Sequence, residues 1–246
     1  MRGEFRLLYQ PQVDQIGRLI GVEALIRWQS PVHGMVSPDE FIPLAEDTGL
    51  IVDIGQWVMD TACAQLKRWE QNPMTRDILL SVNVSARQFR HAGFVQCVRD
   101  SLAQYEANPA RLILELTEGT VLKDVDLVVS QMRELTGLGI GFSLDDFGTG
   151  YSSLSYLKLL PLSQVKIDKS FVRDVTVDPS DAAIVRAILA MSQSLGLQAI
   201  AEGVETAAQR EFLSANGCVF YQGYLFGRPG PIEDIDRLID EGTILL

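Results

Sequence analysis

A chain of 246 residues that is 47% hydrophobic suits one sizeable α/β domain better than two small ones, and none of its apolar stretches approaches the roughly 20 residues of a membrane span. A net charge of −11, from 32 acidic and 21 basic residues, argues against broad binding of DNA or RNA polymers, which needs a basic surface to neutralise phosphates. Three widely spaced cysteines and two histidines leave little material for a disulfide frame, a zinc site or a Ser-His-Asp triad, and read as a reduced, cytoplasmic protein.

The chain enters a strand pattern almost at once, FRLLYQPQV (5–13), with no signal-peptide leader before it, as a domain cut from a longer protein would. A short DQIG turn leads to LIGVEALIRW (19–28), so these two runs read as an antiparallel pair. A short helical piece at 38–47 and a helix at 53–71, stopped by NPM, precede the strand ILLSVNVS (78–85). A helix over 86–105 then leads to RLILELTE (111–118), a helix over 122–136 to GIGFSLDDF (139–147), and a short piece at 152–159 to QVKID (164–168). The helix 179–195, stopped by LGL, precedes LQAIAEGV (197–204), and the helix 206–215 precedes CVFYQGYLF (218–226), with a last short helix at 231–240. Strands alternating with helices indicate a parallel sheet with helical crossovers. Eight strands in about 250 residues predict a TIM-like (β/α)8 barrel with an antiparallel first strand pair. A doubly wound open sheet is the competing arrangement, but no G-x-G-x-x-G opens a helix after a strand.

An apolar strand has no reason to carry charge, since an unpaired interior carboxylate is costly. Yet seven of these strands carry polar residues at or near their C-terminal ends: Glu23, Asn83, Glu115, the pair Asp145 and Asp146, Lys166, Glu202 and Gln222. In a barrel those ends converge on one mouth, where active sites sit. Glu23, on a strand expected to run antiparallel, would reach that mouth only from nearer its middle. Five carboxylates and a carboxamide are hard oxygen donors, suited to Mg²⁺ or Mn²⁺ and not to zinc. Crowded together they repel unless cations lie between them. The set therefore points to a divalent, two-metal site, the usual arrangement for phosphodiester hydrolysis by a metal-activated water. In SLDDFGTGYSSLSYLK (143–158), both aspartates can face one centre only if the backbone bends, freedom that Gly148 and Gly150 can supply. The G-T-G is a poor phosphate cradle, because the helix-opening lysine signature is missing.

Nine ordered motifs now stand in the chain: LYQPQV, VEALIRW, FIPLAEDTGLI, SVNVSARQF, LELTE, DDFGTGYSSLSYL, VKIDKSFV, AEGVE and YQGYLFGRP. Together they closely resemble the bacterial EAL-domain family of cyclic-di-GMP phosphodiesterases, over essentially all of residues 1–246 as one domain. The resemblance implies that Glu23, Asn83, Glu115 and Asp145 hold one metal, that Asp145 bridges to a second, and that Asp146 and Glu202 complete it. It implies that Lys166 holds the attacking water, that Glu202 also assists as a general base, and that Glu205 and Gln222 support them. Gln10, Leu25, Arg27 and Pro229 are implied as substrate contacts. For Arg27 a phosphate contact competes with an ion pair to a neighbouring acid. Glu118 is implied to anchor the loop that follows Asp146, which in the family links the second metal to a dimer surface. The implied activity is hydrolysis of cyclic-di-GMP to linear pGpG with two Mg²⁺ or Mn²⁺ ions, with Ca²⁺ inhibitory because its looser coordination misplaces the nucleophile. A homodimer, fused sensory or GGDEF domains and no membrane contact by this domain are implied as well. No metal-ligand position departs from the family pattern. A family member that binds the dinucleotide without cleaving it is the alternative, and an enolase-like lyase rests on barrel analogy alone.

Overall fold

The computed structural model describes residues 3–121, 124–149, 157–240, 242 and 245. Nine strands form one sheet: β1 (Phe5–Asp14), β2 (Leu19–Ser30), β3 (Gly34–Val36), β4 (Leu79–Asn83), β5 (Leu112–Thr117), β6 (Gly141–Phe147), β7 (Gln164–Ile167), β8 (Gln198–Ala201) and β9 (Phe220–Gln222). Their order is β1-β9-β8-β7-β6-β5-β4-β2-β3, and β1 pairs back onto β2. Eight strands therefore close into a barrel, and β3 hangs from β2 as a short outer ribbon. A closed sheet leaves no long edge to pair with another chain.

The first two strands are antiparallel, as expected, but the reversed strand is β1. It runs against both β2 and β9, whereas β2 pairs in parallel with β4. The expectation that Glu23 sits on the reversed strand is therefore corrected. Glu23 still lies near the middle of its strand, because β2 is 12 residues long and continues past the mouth towards β3.

Strand alternation builds the core. Leu80 and Val82, Leu112, Leu114 and Leu116, Phe142 and Leu144, and Val165 and Ile167 face outwards into the helical layer and are almost completely buried. The helix Ile51–Glu70 meets them with Ile51, Ile54, Val58, Ala62 and Leu66, the spacing of one helical face. The helix Pro38–Thr48 is capped by Ser37 and stopped by Gly49 at φ 83°. The helix Pro179–Leu195 is capped by Asp178 and stopped by Gly196 at φ 69°, both left-handed ends that glycine adopts without strain.

Helices Val125–Thr136, Ala207–Ala215 and Ile232–Asp240 match their sequence patterns to within a few residues. The helix expected over 86–105 is instead two, Ala86–Phe89 and Phe94–Tyr105. Between them the chain turns so that Phe89 and Phe94 pack together, with ring centroids 5.1 Å apart. The ribbon β3 and the short helix Lys169–Arg173 carry no periodicity to reveal them. The piece expected at 152–159 lies mostly outside the described residues. Cys63, Cys97 and Cys218 are free thiols, and His33 and His91 are exposed. Among the described residues no helix is long and apolar enough to cross a membrane.

The close of the barrel depends on Gly223. A Cβ there would lie 2.1 Å from the Val204 carbonyl oxygen and 2.3 Å from its nitrogen. The same two segments exchange hydrogen bonds from Val204 N to Gln222 O and from Leu225 N to Val204 O. Gly223→Ala should therefore destabilise the protein by about 1–3 kcal/mol through overpacking against backbone, seen as a lower urea midpoint with an unchanged m-value.

Candidate active site

The strand ends bring the chemistry together by register. Asn83 is the last residue of β4 and pairs with Glu115, while Asp145 on β6 pairs with Thr117, two residues beyond Glu115. Lys166 is the penultimate residue of β7, Glu202 follows β8, and Gln222 ends β9. All eight polar residues named from the strands thus lie at one end of the barrel.

At their centre is Lys166, only 1% exposed. Its Nζ lies 2.6 Å from Glu202 Oε1, 2.7 Å from Glu115 Oε2, 3.2 Å from Glu23 Oε2 and 3.4 Å from Asp145 Oδ1. Burial alone would lower the pKa of the ammonium, but the surrounding Glu115, Glu202, Glu23 and Asp145 carboxylates push it well above the usual lysine range. One positive charge cannot neutralise four acids. Burial raises the Glu115 carboxyl well above its usual range despite the neighbouring ammonium, with Glu23 and Asp145 adding to the rise. Glu202 is pushed up to about 8, chiefly by burial and against the pull of Lys166. Glu23 goes the other way. Burial raises it too, but Lys166 and hydrogen bonds from Gln222 and Asn83 outweigh that and hold it ionised.

These hydrogen bonds orient the Glu23 carboxylate. Asn83 Nδ2 donates to Glu23 Oε1 at 2.6 Å and Gln222 Nε2 donates to Glu23 Oε2 at 2.6 Å. With its amide nitrogen committed to a carboxylate, Asn83 has its Oδ1 as the free end, the atom a cation takes. Glu115 Oε1 is buried and has no hydrogen-bond partner among the described residues. Oxygens of Asp145, Asp146 and Glu202 all lie within 4.8 Å of one another. This all-oxygen, acid-rich set with an unpartnered carboxylate oxygen fits hard divalent cations.

Asp145 and Asp146 share one side because the strand bulges there. Leu144 pairs with Val165 and Phe147 with Ile167, so β6 advances three residues while β7 advances two. Asp146 takes up the extra residue at φ 54°, and Gly148 follows at φ 101°. The bend therefore begins at the aspartate itself, two residues before the first glycine of the tract. Gly150 and the loop to residue 156 lie outside the described residues. Asp146 is pushed up to about 6 by burial, then by Asp145 and by Asp168.

Asp168 is a site residue that the strand-end reading missed. It is buried, lies against Asp146, and caps the helix Lys169–Arg173 through Ser170 N at 3.0 Å. Its signal was the acid two residues after Lys166, on the strand's polar parity. Glu205, by contrast, is exposed, and among the described residues its carboxylate makes no hydrogen bond or ion pair. Glu118 is buried just beyond β5, and among the described residues neither of its carboxylate oxygens has a hydrogen-bond partner.

A cavity of about 550 Å³ opens beside Asn83, between the ends of β2 and β4 and the helices Pro38–Thr48 and Ile51–Glu70. Leu25 and Arg27 line it together with Ile42, Ile54 and Glu46. Arg27 Nη1 donates to the Ile26 carbonyl at 2.8 Å, and among the described residues Arg27 forms no ion pair. Gln10 lies deeper, with Nε2 donating to Gly227 O and Oε1 accepting from Gln222. Pro229 is half-buried on a segment tied to Tyr9 by paired Tyr9–Gly230 hydrogen bonds, beside Gln10.

The family model for the EAL domain matches residues 1–229. The chain is 50% identical over 235 residues to the bifunctional diguanylate cyclase/cyclic di-GMP phosphodiesterase MucR of Pseudomonas aeruginosa, covering 95% of this chain and 34% of that protein. It is 44% identical over 238 residues to the signaling protein YkoW of Bacillus subtilis, covering 96% of this chain and 30% of that protein. The chain thus spans about a third of the length of the curated relatives it matches. A solved structure of the MucR phosphodiesterase in complex with c-di-GMP superposes with a TM-score of 0.92 at 50% identity, covering 95% of both chains.

The electrostatics carry a test of their own. Removing the ammonium leaves buried carboxylates uncompensated, so Lys166→Met should destabilise the protein in chelator by about 3–5 kcal/mol. Urea unfolding in EDTA at pH 8.5 reads this directly. An unchanged midpoint would show that the acids do not depend on Lys166.

Proposed function

The chain belongs to the EAL domain family, and we propose that it hydrolyses cyclic-di-GMP to linear pGpG. The observation that carries this reading is the complete acid set around Lys166, facing the same mouth as the cavity lined by Leu25 and Arg27. Glu23, Asn83, Glu115 and Asp145 are assigned to one divalent cation, and Asp145, Asp146 and Glu202 to a second. Bound there, Mg²⁺ or Mn²⁺ supplies Lewis-acid stabilisation of the phosphoryl oxygens and acidifies the attacking water.

The chain's own residues do the rest. Lys166 offers a compact ammonium that orients the attacking water and offsets phosphate charge. Glu202, at 2.6 Å from Lys166 Nζ, is placed to accept a proton from that water. The Arg27 guanidinium, free of an ion pair among the described residues, presents a planar fork to a phosphate oxygen. The apolar cavity walls Ile42 and Ile54 offer a flat purine a surface, and Leu25 closes the near side. Gln10 and Pro229 complete the substrate rim, and Glu205, exposed on the segment after Glu202, is assigned a supporting role only once cations and substrate are bound. Glu118, whose carboxylate is buried just beyond β5, is assigned to anchor the loop after Asp146, most of which lies outside the described residues. Residues 1–246 form one catalytic module of a longer cytoplasmic signalling protein, paired as a homodimer and coupled to sensory or GGDEF domains.

Incubating the protein with cyclic-di-GMP and Mn²⁺ should yield pGpG, and unchanged dinucleotide with tight binding would replace the enzyme by a receptor. Asp145→Asn removes a charge shared by both cations. It should lower kcat by roughly 10²–10³-fold, the scale of losing one electrostatic group aimed at developing charge, with a much smaller change in thermal stability. Near wild-type kcat in that variant would sink the two-metal assignment.

Metal loading should also depend on pH. In the metal-free protein burial and neighbouring acids push Asp146 up to about 6 and Glu202 up to about 8, so at pH 6 Glu202 holds a proton that a cation must expel. Affinity for Mn²⁺ should therefore rise between pH 6 and 8.5, with protons released on binding. Calorimetry in two buffers of different ionisation enthalpy reads both, and a pH-independent affinity would contradict the assigned ligands.

A further inference from the structure

We propose that Gln12, a side chain outside the ligand set, is a positioning residue that fixes Glu23 for metal binding by holding Gln222 in one orientation. The proposal rests on the reading of Glu23 as a metal ligand. Gln12 is 1% exposed and points into the barrel from β1, where it stands in register with both Gln222 on β9 and Gly21 on β2. Interior positions of such barrels are usually filled by bulky branched side chains, so a buried amide here needs a reason.

The hydrogen bonds supply one. Gln12 Nε2 donates to Gln222 Oε1 at 2.9 Å, and Gln222 Nε2 donates in turn to Gln10 Oε1 at 3.1 Å and Glu23 Oε2 at 2.6 Å. An ionised carboxylate only accepts hydrogen bonds, so Gln222 serves Glu23 only with its nitrogen towards the mouth. That orientation turns its oxygen into the barrel, where Gln12 is the donor that meets it. Glu23 Oε2 also lies 3.2 Å from Lys166 Nζ, and Glu23 Oε1 accepts from Asn83. Both oxygens of the carboxylate are thereby pinned, and the pin nearest the β1 seam hangs on Gln12. Gly21 leaves the seat open, since a Cβ there would stand 2.9 Å from Gln12 Oε1. Groups that orient a metal ligand from behind typically change affinity by about 10–100-fold when removed.

The test measures Mn²⁺ affinity by calorimetry alongside hydrolysis, on variants whose thermal midpoints show them folded. Gln12→Met keeps the volume and removes the donor. It should weaken Mn²⁺ binding about tenfold and lower kcat, with KM for cyclic-di-GMP nearly unchanged. Gln222→Met should lose more, and Gln12→Met with Gln222→Met should match Gln222→Met alone, because Gln12 acts only through it. A merely structural role would instead give additive losses, and additivity overturns the proposal. Gly21→Ala crowds Gln12 without removing it, its Cβ also meeting the Leu79 carbonyl oxygen at 3.1 Å; it should show a weaker version of the same loss, and Gln12→Leu carries the test if Gln12→Met does not fold. Wild-type affinity in Gln12→Met or in a folded Gly21→Ala also overturns it. A wild-type protein that binds no Mn²⁺ overturns the metal reading, and the positioning role with it. A wild type that binds and hydrolyses while Gln12→Met does so equally well leaves the metal reading standing and removes only Gln12.

Discussion

The architecture of the mouth follows from one imbalance: a single buried ammonium, Lys166, faces four carboxylates within 3.4 Å. Desolvating so many charges in an apolar core would be prohibitive if each were alone. The barrel makes it tolerable by placing the acids on different strands around one cation, so that no acid in this ring lacks an opposite charge. Even so the ring remains net acidic, and burial among these acids pushes the Glu115 and Glu202 carboxyls above the usual carboxylate range. A site with surplus negative charge and protons to give up is one built to exchange them for cations.

The neutral side of the ring is as ordered as the charged side. Gln10, Gln12 and Gln222 form an amide ladder along the seam where β1 joins β9, and it ends on Glu23. The reversal of β1 makes this possible. Running against β2 and β9, it matches Gln10 to Glu23 and Gln12 to Gln222 directly across the sheet. Beneath the ring, Gly21, Ser81 and Ser143 occupy strand positions that a purely structural barrel fills with branched side chains. Glu23 is held below the usual carboxylate range, whereas Glu115, with the same ammonium at closer range, is pushed above it. The difference lies in the donors each carboxylate finds.

Most of this was legible because polar residues at the ends of apolar strands have few innocent explanations. Asn83, Glu115 and Lys166 each interrupt a run of aliphatic residues, Gln222 ends an apolar one, and closure of the barrel gathers them. The direction of β2 was not legible. A hairpin states only that two strands oppose each other, and which one joins the parallel set is settled by the pairing of β2 with β4. The break between Phe89 and Phe94 was hidden because the apolar phase runs on through it, with both rings buried in the same core. Asp168 was overlooked beside the more conspicuous Lys166, although alternate strand residues share a face. Glu205 shows the limit of a motif: it is continuous with Glu202, yet its side chain is exposed where that of Glu202 is half-buried.

The two aspartates of β6 show how far the fold departs from regularity to complete the site. Pleating sends neighbouring side chains to opposite faces, so a regular strand could offer only one of Asp145 and Asp146 to the mouth. The bulge supplies the second by placing Asp146 in the left-handed region, which aspartate tolerates better than most non-glycine residues. Local hydrogen bonds hold it there: Asp146 N donates to Asp145 Oδ1 at 3.0 Å, and Thr149 Oγ1 donates to Asp146 O at 2.8 Å. Phe147 then returns to the core against β7, and Gly148 leaves at φ 101° under Phe171, where a Cβ would stand 3.0 Å from the ring. Each residue of Asp145-Asp146-Phe147-Gly148 thus has a separate task in a single bend. Without that bend Asp146 would point away from Asp145 and Glu202, and the one cluster of acid oxygens close enough to share a cation among the described residues would lose a member. The strain sits at the site because the convergence of charge is made there.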